Sequence, residues 1–210
     1  MQIFKNMNEE AMEQIRKKGI LRSEWYQKND IIFSMGDVVR ELGIIKKGSV
    51  VIANNDLWGN RSILNWLGEG QVFAESYAIT GSPLMVEAMA DADCEILFLN
   101  LWKVREQKNM PAWYYPLIQN LLMITAKKNQ TLSSRIFCTS AKTIRGRLSV
   151  YFSEEMAKNK SREFTVPLNR QQMAEYLSLD RSALSHELAK MKEEGLIQYH
   201  KNHFIIQNPS

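Results

Sequence analysis

Four polar side chains near the end of this 210-residue chain, Arg181, Ser182, Ser185 and His186, stand in the segment LNRQQMAEYLSLDRSALSHELAKMKEEGLIQYHKNHF at spacings that put them on one side of a helix. Leu184, Leu188 and Met191 follow an i, i+4, i+7 pattern on the other side, so the polar set is the face left in water. An ordinary surface helix mixes Glu and Lys on such a face, whereas here the acids hold off until Glu187. Arg181 carries a planar fork of donors that matches the O6 and N7 acceptors of guanine. A helix with arginine and hydroxyls in its first turns therefore suits entry into a DNA major groove.

Such a face needs a scaffold, and the neighbouring residues supply one. Asn169 can cap a first helix, with Gln172 completing a capping box and Leu168 and Met173 forming a hydrophobic staple. Met173, Ala174 and Leu177 give that helix its buried face. Ser178 and Leu179 make a tight turn, Asp180 caps the second helix, and Gly195 ends it. Two short apolar strands around Lys201–Asn202 then predict a hairpin wing. In this arrangement the first helix crosses the DNA backbone and brings Asn169, Arg170 and Ser178 near phosphates.

Upstream the texture differs. Residues 1–30 read as a short amphipathic lead-in. From Ile31 to about Leu101, short apolar runs alternate with Gly, Asn and Asp breaks, the spacing of an all-β barrel or sandwich. Gly36, Gly43, Gly48, Gly59, Gly68 and Gly70 fall where turns would need them. Between about Pro111 and Ile136 the period becomes helical: Ile118, Leu122, Thr125, Asn129, Leu132 and Ile136 recur at 4-3-4-3-4. Periodicity alone leaves two readings open. One is a long helix packed on its own barrel; the other is a parallel dimer seam with Asn129 setting the register.

Apolar residues make up 45% of the chain and charged residues 24%, an ordinary globular balance. No run approaches the roughly 20 apolar residues of a membrane span, and the N-terminus has no signal-peptide core. Two cysteines, Cys94 and Cys138, are too few for a disulfide framework or a Cys-rich metal site. A cytoplasmic protein is expected. Residues 140–210 hold 11 Lys/Arg against 8 Asp/Glu, most of the net charge of +4, which favours an anionic partner there.

The segment RQQMAEYLSLDRSALSHELAKMKEEGLI, together with FSMGD, IIKKGSVVIA, NWLGEGQVFAESYAITGSP and EAMADADCEILFL, resembles the CRP/FNR family of bacterial transcription regulators over nearly the whole chain. The resemblance implies an α+β chain: an effector-sensing, cyclic-nucleotide-binding-type β jelly roll over 1–110, a dimerisation helix and hinge over 111–138, and a winged helix-turn-helix over 139–210. It implies a homodimer joined along the long helix, and it makes TSAKTIRGRLSVYF the hinge helix. Base-edge contacts then fall to Arg181, Ser182, Ser185 and His186 on an inverted repeat in double-stranded DNA, with RNA polymerase as a further partner. Ser178 stands where the family's turn glycine is common, Ser182 replaces a frequent Glu, and His186 a frequent Arg, so the family's operators do not transfer. Enzymatic activity is not expected: a metal cupin built on this barrel would need clustered histidines, and the barrel region has none.

Cyclic-nucleotide receptors of that family clamp the phosphate with an Arg-Ser or Arg-Thr pair, since a buried phosphate left unpaired is very costly. Here Leu84, Met85 and Val86 stand where the arginine should be, Glu87 would repel phosphate, and Glu75 alone remains at the ribose position. Residues 1–30 lack the cysteines of iron–sulfur members, and all three histidines lie in the C-terminal part, away from any haem. No cofactor or metal is expected. What remains is an unidentified small-molecule effector, such as an apolar or aromatic acid. Its lining would be Phe73, Tyr77, Leu84, Met85 and Met89 with Leu121 or Leu122 from the long helix, and Glu75 or Tyr77 would be the polar handle. For each residue singly, plain barrel core is the competing reading. The rival for the whole protein is a constitutive DNA-binding dimer whose barrel is purely structural.

Overall fold

A computed structural model describes residues 1–55 and 61–207, so the turn expected at Gly59 lies outside the described residues. The chain divides into two compact units, Met1–Ala126 and Lys127–Ser210. In the first, Asn8 caps α1 (Glu9–Lys17) by accepting from the Ala11 N–H at 2.9 Å. There follow β1 (Leu21–Tyr26), β2 (Ile31–Phe33), β3 (Glu41–Lys47), β4 (Val50–Asn55), β5 (Arg61–Leu67) and β6 (Val72–Phe73). After them come α2 (Glu75–Thr80), β7 (Glu87–Ala90), β8 (Cys94–Asn100) and α3 (Leu101–Arg105). The strands make two four-stranded antiparallel sheets, β1-β8-β3-β6 and β2-β7-β4-β5, the all-β layout expected of the alternating runs and the jelly roll that the family resemblance implies.

Aromatic rings hold part of this core: Phe33 lies 5.8 Å from Phe73 and 5.6 Å from Phe98 between ring centres. Gly43 serves them. Its spacing predicted a turn, but it lies inside β3, opposite Phe73. A Cβ there would come within 2.2 Å of the Phe73 ring, so the missing side chain is the seat for that ring. Gly48 is a true turn glycine, with φ +85° and the Asp93 carbonyl 2.4 Å from where a Cβ would stand.

The long helix α4 (Tyr114–Ser140) carries Pro116 in its first turn, where a missing N–H costs little. Leu117, Leu121 and Ile124 are buried in one core cluster with Val72, Ala78 and Leu84, so one stripe of α4 packs on its own barrel. A second stripe lies in water: Leu122 is 64% exposed, Leu132 60% and Ile136 65%. Along it Ile118 and Thr125 are half-buried and Asn129 is exposed. No helix among the described residues is long and apolar enough to cross a membrane.

The second unit contains the end of α4, then α5 (Ile144–Asn159), β9 (Glu163–Thr165), α6 (Arg170–Tyr176), α7 (Arg181–Glu193), β10 (Ile197–His200) and β11 (His203–Ile206). The wing is a three-stranded antiparallel sheet, β10-β11-β9, with one strand more than the hairpin the sequence predicted. Leu148, Phe152, Met173, Leu184, Leu188 and Phe204 lie at the centre of its core. Both cysteines are buried free thiols. Burial pushes each thiol up, Cys138 to about 11 with the nearby Glu154 charge adding to it, which keeps them neutral and unreactive.

Filling the Phe73 seat should destabilise the barrel. Gly43→Val is expected to cost about 1–3 kcal/mol by overpacking, read as a lower urea midpoint; an unchanged midpoint would mean that the ring can move aside freely.

Candidate nucleic-acid interface

Short-range caps set the two helices of the motif. The Asn169 side chain accepts from the Gln172 N–H at 2.9 Å, and the Gln172 amide oxygen accepts from the Asn169 N–H at 3.0 Å, a complete capping box. Met173, Ala174 and Leu177 are buried as the apolar pattern predicts. Between the helices the Leu179 N–H donates to the Ala174 carbonyl at 2.8 Å, and Ser178 takes a left-handed backbone with φ +53°. That conformation explains why glycine suits this turn; serine holds it against a steric cost.

Asp180 then caps α7 by accepting from the Ser182 and Ala183 N–H groups at 2.8 and 2.9 Å. The Ser182 hydroxyl donates to the same carboxylate at 2.5 Å. The Ser182 hydroxyl first, then these backbone N–H groups, holds the Asp180 carboxyl below its usual range. The cap is therefore in place at neutral pH and weakens as pH falls through that lowered value. Leu184, Leu188 and Met191 are buried, while Arg181, Ser182, Ser185 and His186 are exposed. The Ser185 hydroxyl donates to the Arg181 carbonyl at 2.9 Å, leaving its oxygen free to accept. The Arg181 guanidinium has no hydrogen bond or ion pair among the described residues.

The acid that interrupts the face is already engaged. Glu187 pairs with Arg145 of α5 at 2.6 Å, and the same guanidinium reaches Glu194 at 2.7 and 2.9 Å. The hydrogen bonds that Arg145 donates to Glu194 and Glu187 raise its pKa, and that of Glu194 is lowered in turn.

Of the three residues expected near phosphate, Asn169 belongs to the capping box and Ser178 to the turn. Arg170 is half-buried, with its guanidinium 4.9 Å over Tyr199 and 5.2 Å over Phe204 and donating to the Lys201 carbonyl at 3.0 Å. Burial lowers its pKa. It joins α6 to the wing, a role the sequence pattern did not reveal because its partners lie about thirty residues on. His203 of the wing is also held locally, 3.0 Å from both Thr165 and Glu163, while His200 is exposed.

The residues expected around an effector do not form one lining. Leu84 and Leu121 share a buried cluster with half-buried Tyr77 beside it. Phe73 belongs to a separate cluster with Ile45 and Phe98. Glu75 is buried at the first residue of α2 and Met89 is half-buried on β7, whereas Met85, 73% exposed, and Leu122 face water.

Two family models match the chain in order: the cyclic nucleotide-binding domain over residues 23–107 and the Crp-like helix-turn-helix domain over residues 146–210. No sequence relative is found among curated proteins. Among solved structures, the catabolite activator protein of Thermus thermophilus is 19% identical, with 99% of this chain and 94% of that chain covered and a TM-score of 0.50. A CprK variant in complex with OCPA is 16% identical, covering 93% and 90%, with a TM-score of 0.61. A double mutant of CooA from Carboxydothermus hydrogenoformans is 17% identical, covering 92% and 86%, with a TM-score of 0.59. At these identities the likeness is one of fold.

The left-handed turn makes a direct prediction. Ser178→Gly is expected to stabilise the second unit by about 0.5–1 kcal/mol, the steric relief exceeding the added freedom of the unfolded chain. Urea denaturation checks it; a loss of stability would mean that the serine side chain contributes more than its backbone costs.

Proposed function

This chain belongs to the CRP/FNR family of transcription regulators, and from that premise we propose that it works as a homodimer reading the two halves of an inverted repeat in double-stranded DNA, controlled by a small-molecule effector that is not a cyclic nucleotide. The observation that carries the DNA reading is Arg181. It stands exposed at the first residue of α7 and its guanidinium makes no bond among the described residues, while the neighbouring acids Asp180 and Glu187 are occupied by the helix cap and by Arg145. A guanidinium presented in this way is suited to a guanine edge, with Ser182, Ser185 and His186 beside it.

The exposed stripe of α4 supports the homodimer. Leu122, Leu132 and Ile136 are all at least 60% in water, and covering them with the same stripe of a second chain removes apolar surface worth about 25 cal/mol per Å². Against a cyclic nucleotide stands Leu84, buried among Ala78 and Leu121 where a phosphate would need a cation. An effector that enters there must be apolar on the side that meets Leu84 and Leu121. The same closed cluster favours a second reading, a constitutive DNA-binding dimer with a structural barrel.

Selection of the purified protein on random duplexes is expected to recover an inverted repeat, and added cyclic AMP is expected to leave its affinity unchanged. A single unrepeated half-site would sink the dimer reading, and a cyclic AMP response would sink the effector reading. On the recovered sequence Arg181→Ala should cost about 1–3 kcal/mol and relax discrimination at one base pair; equal loss on every sequence would make Arg181 a phosphate contact.

Leu132→Asp with Ile136→Asp is expected to halve the sedimenting mass of the native protein. A doubly substituted chain that still sediments as a dimer would exclude the α4 stripe as its seam.

A further inference from the structure

Helix α6 is only seven residues long, and its last carbonyls lack partners within the helix. Two arginines from outside the motif occupy them. Arg147 of α5 donates from Nη1 to the carbonyls of Leu177 and Ser178, both at 2.9 Å. Arg135, near the end of α4, donates to the carbonyls of Tyr176 and Glu175, both at 3.3 Å. Four consecutive carbonyls at the negative end of α6 are thus held by two guanidinium groups, the placement that the helix dipole favours.

Arg147 does more than cap. Its Nε donates at 3.0 Å to the carbonyl of Ala141, in the three-residue linker between α4 and α5. The side chain is half-buried and has no carboxylate partner among the described residues, so the hydrogen bonds of its Nε and Nη1 all go to backbone carbonyls. One of its acceptors belongs to Ser178, the residue in the left-handed conformation that turns the chain towards the Asp180 cap of α7.

We propose that Arg147 is a positioning residue for DNA readout: a single guanidinium ties the α4–α5 linker to the α6–α7 turn, so the presentation of α7 depends on the state of that linker. The inference rests on the DNA reading above. It requires the planar fork, because three carbonyls from two segments have to be met at once; a lysine ammonium is a compact point charge on a flexible stem and does not reproduce that geometry.

The test is Arg147→Lys, with fluorescence anisotropy on the recovered operator and on a scrambled duplex of equal length across a salt series. Operator affinity is expected to fall about ten-fold, the loss of a charge-assisted hydrogen bond, while scrambled-duplex affinity and both salt slopes stay at the wild-type values. An unchanged ratio of operator to scrambled affinity would overturn the proposal. So would a salt slope smaller by about one, which marks a direct phosphate contact. Should the lysine variant lose its circular dichroism signal, Arg135→Gln, at an exposed position, takes its place, with about a three-fold fall in the same ratio expected and an unchanged ratio overturning the idea. A wild-type protein with no preference for the operator would overturn the DNA reading and this inference together, a failure visible before any variant is compared.

Discussion

Burying Leu184, Leu188 and Met191 decides most of what the second unit can do. A helix advances about 100° per residue, so placing three side chains in the core fixes the rotation of α7 about its own axis. Each of the three contributes about 1.5–3 kcal/mol by leaving water. Rolling the helix by one residue would instead drive Ser185 and Lys192, or Glu187 and Lys190, into an apolar interior. The exposed set Arg181, Ser182, Ser185 and His186 is therefore a by-product of core packing. The Asp180 cap fixes where the helix begins, and the Arg145 contacts to Glu187 and Glu194 hold its flank against α5.

What was legible in the sequence was what acts over short separations. The Asn169–Gln172 box, the Asp180 cap and the apolar stripes all join residues no more than about two turns apart, so spacing alone reveals them. The misses join distant segments. Gly43 looks like any turn glycine until Phe73 is brought opposite it. β9 is three residues with a single buried side chain, Phe164, and becomes a strand only because β11 pairs with it. Arg170 reads as a surface cation until the wing folds back and offers two aromatic faces. The residues of the expected effector lining fall in different places for a related reason. Apolar character tells that a residue turns inward, but Phe73 of β6 and Leu84 of the loop before β7 belong to different clusters of the same barrel.

The long helix illustrates how one pattern hides another. The heptad reading follows Ile118, Leu122, Thr125, Asn129, Leu132 and Ile136, while the stripe that meets the barrel is Leu117, Leu121 and Ile124, displaced by one residue. Both are mainly apolar and both repeat at helical spacing, so the longer one masks the other. Which stripe is covered within one chain follows from the sheets it packs against, information that no window of α4 contains.

The burial of Cys94 and Cys138 has a practical side. With both thiols enclosed and held neutral, the native chain presents no competing nucleophile to a maleimide or a nitroxide reagent. A cysteine introduced on the exposed face of α7, or on the open stripe of α4, can then carry a single fluorophore or spin label on the otherwise natural sequence. Distances and mobilities could be followed in solution without first removing either native thiol.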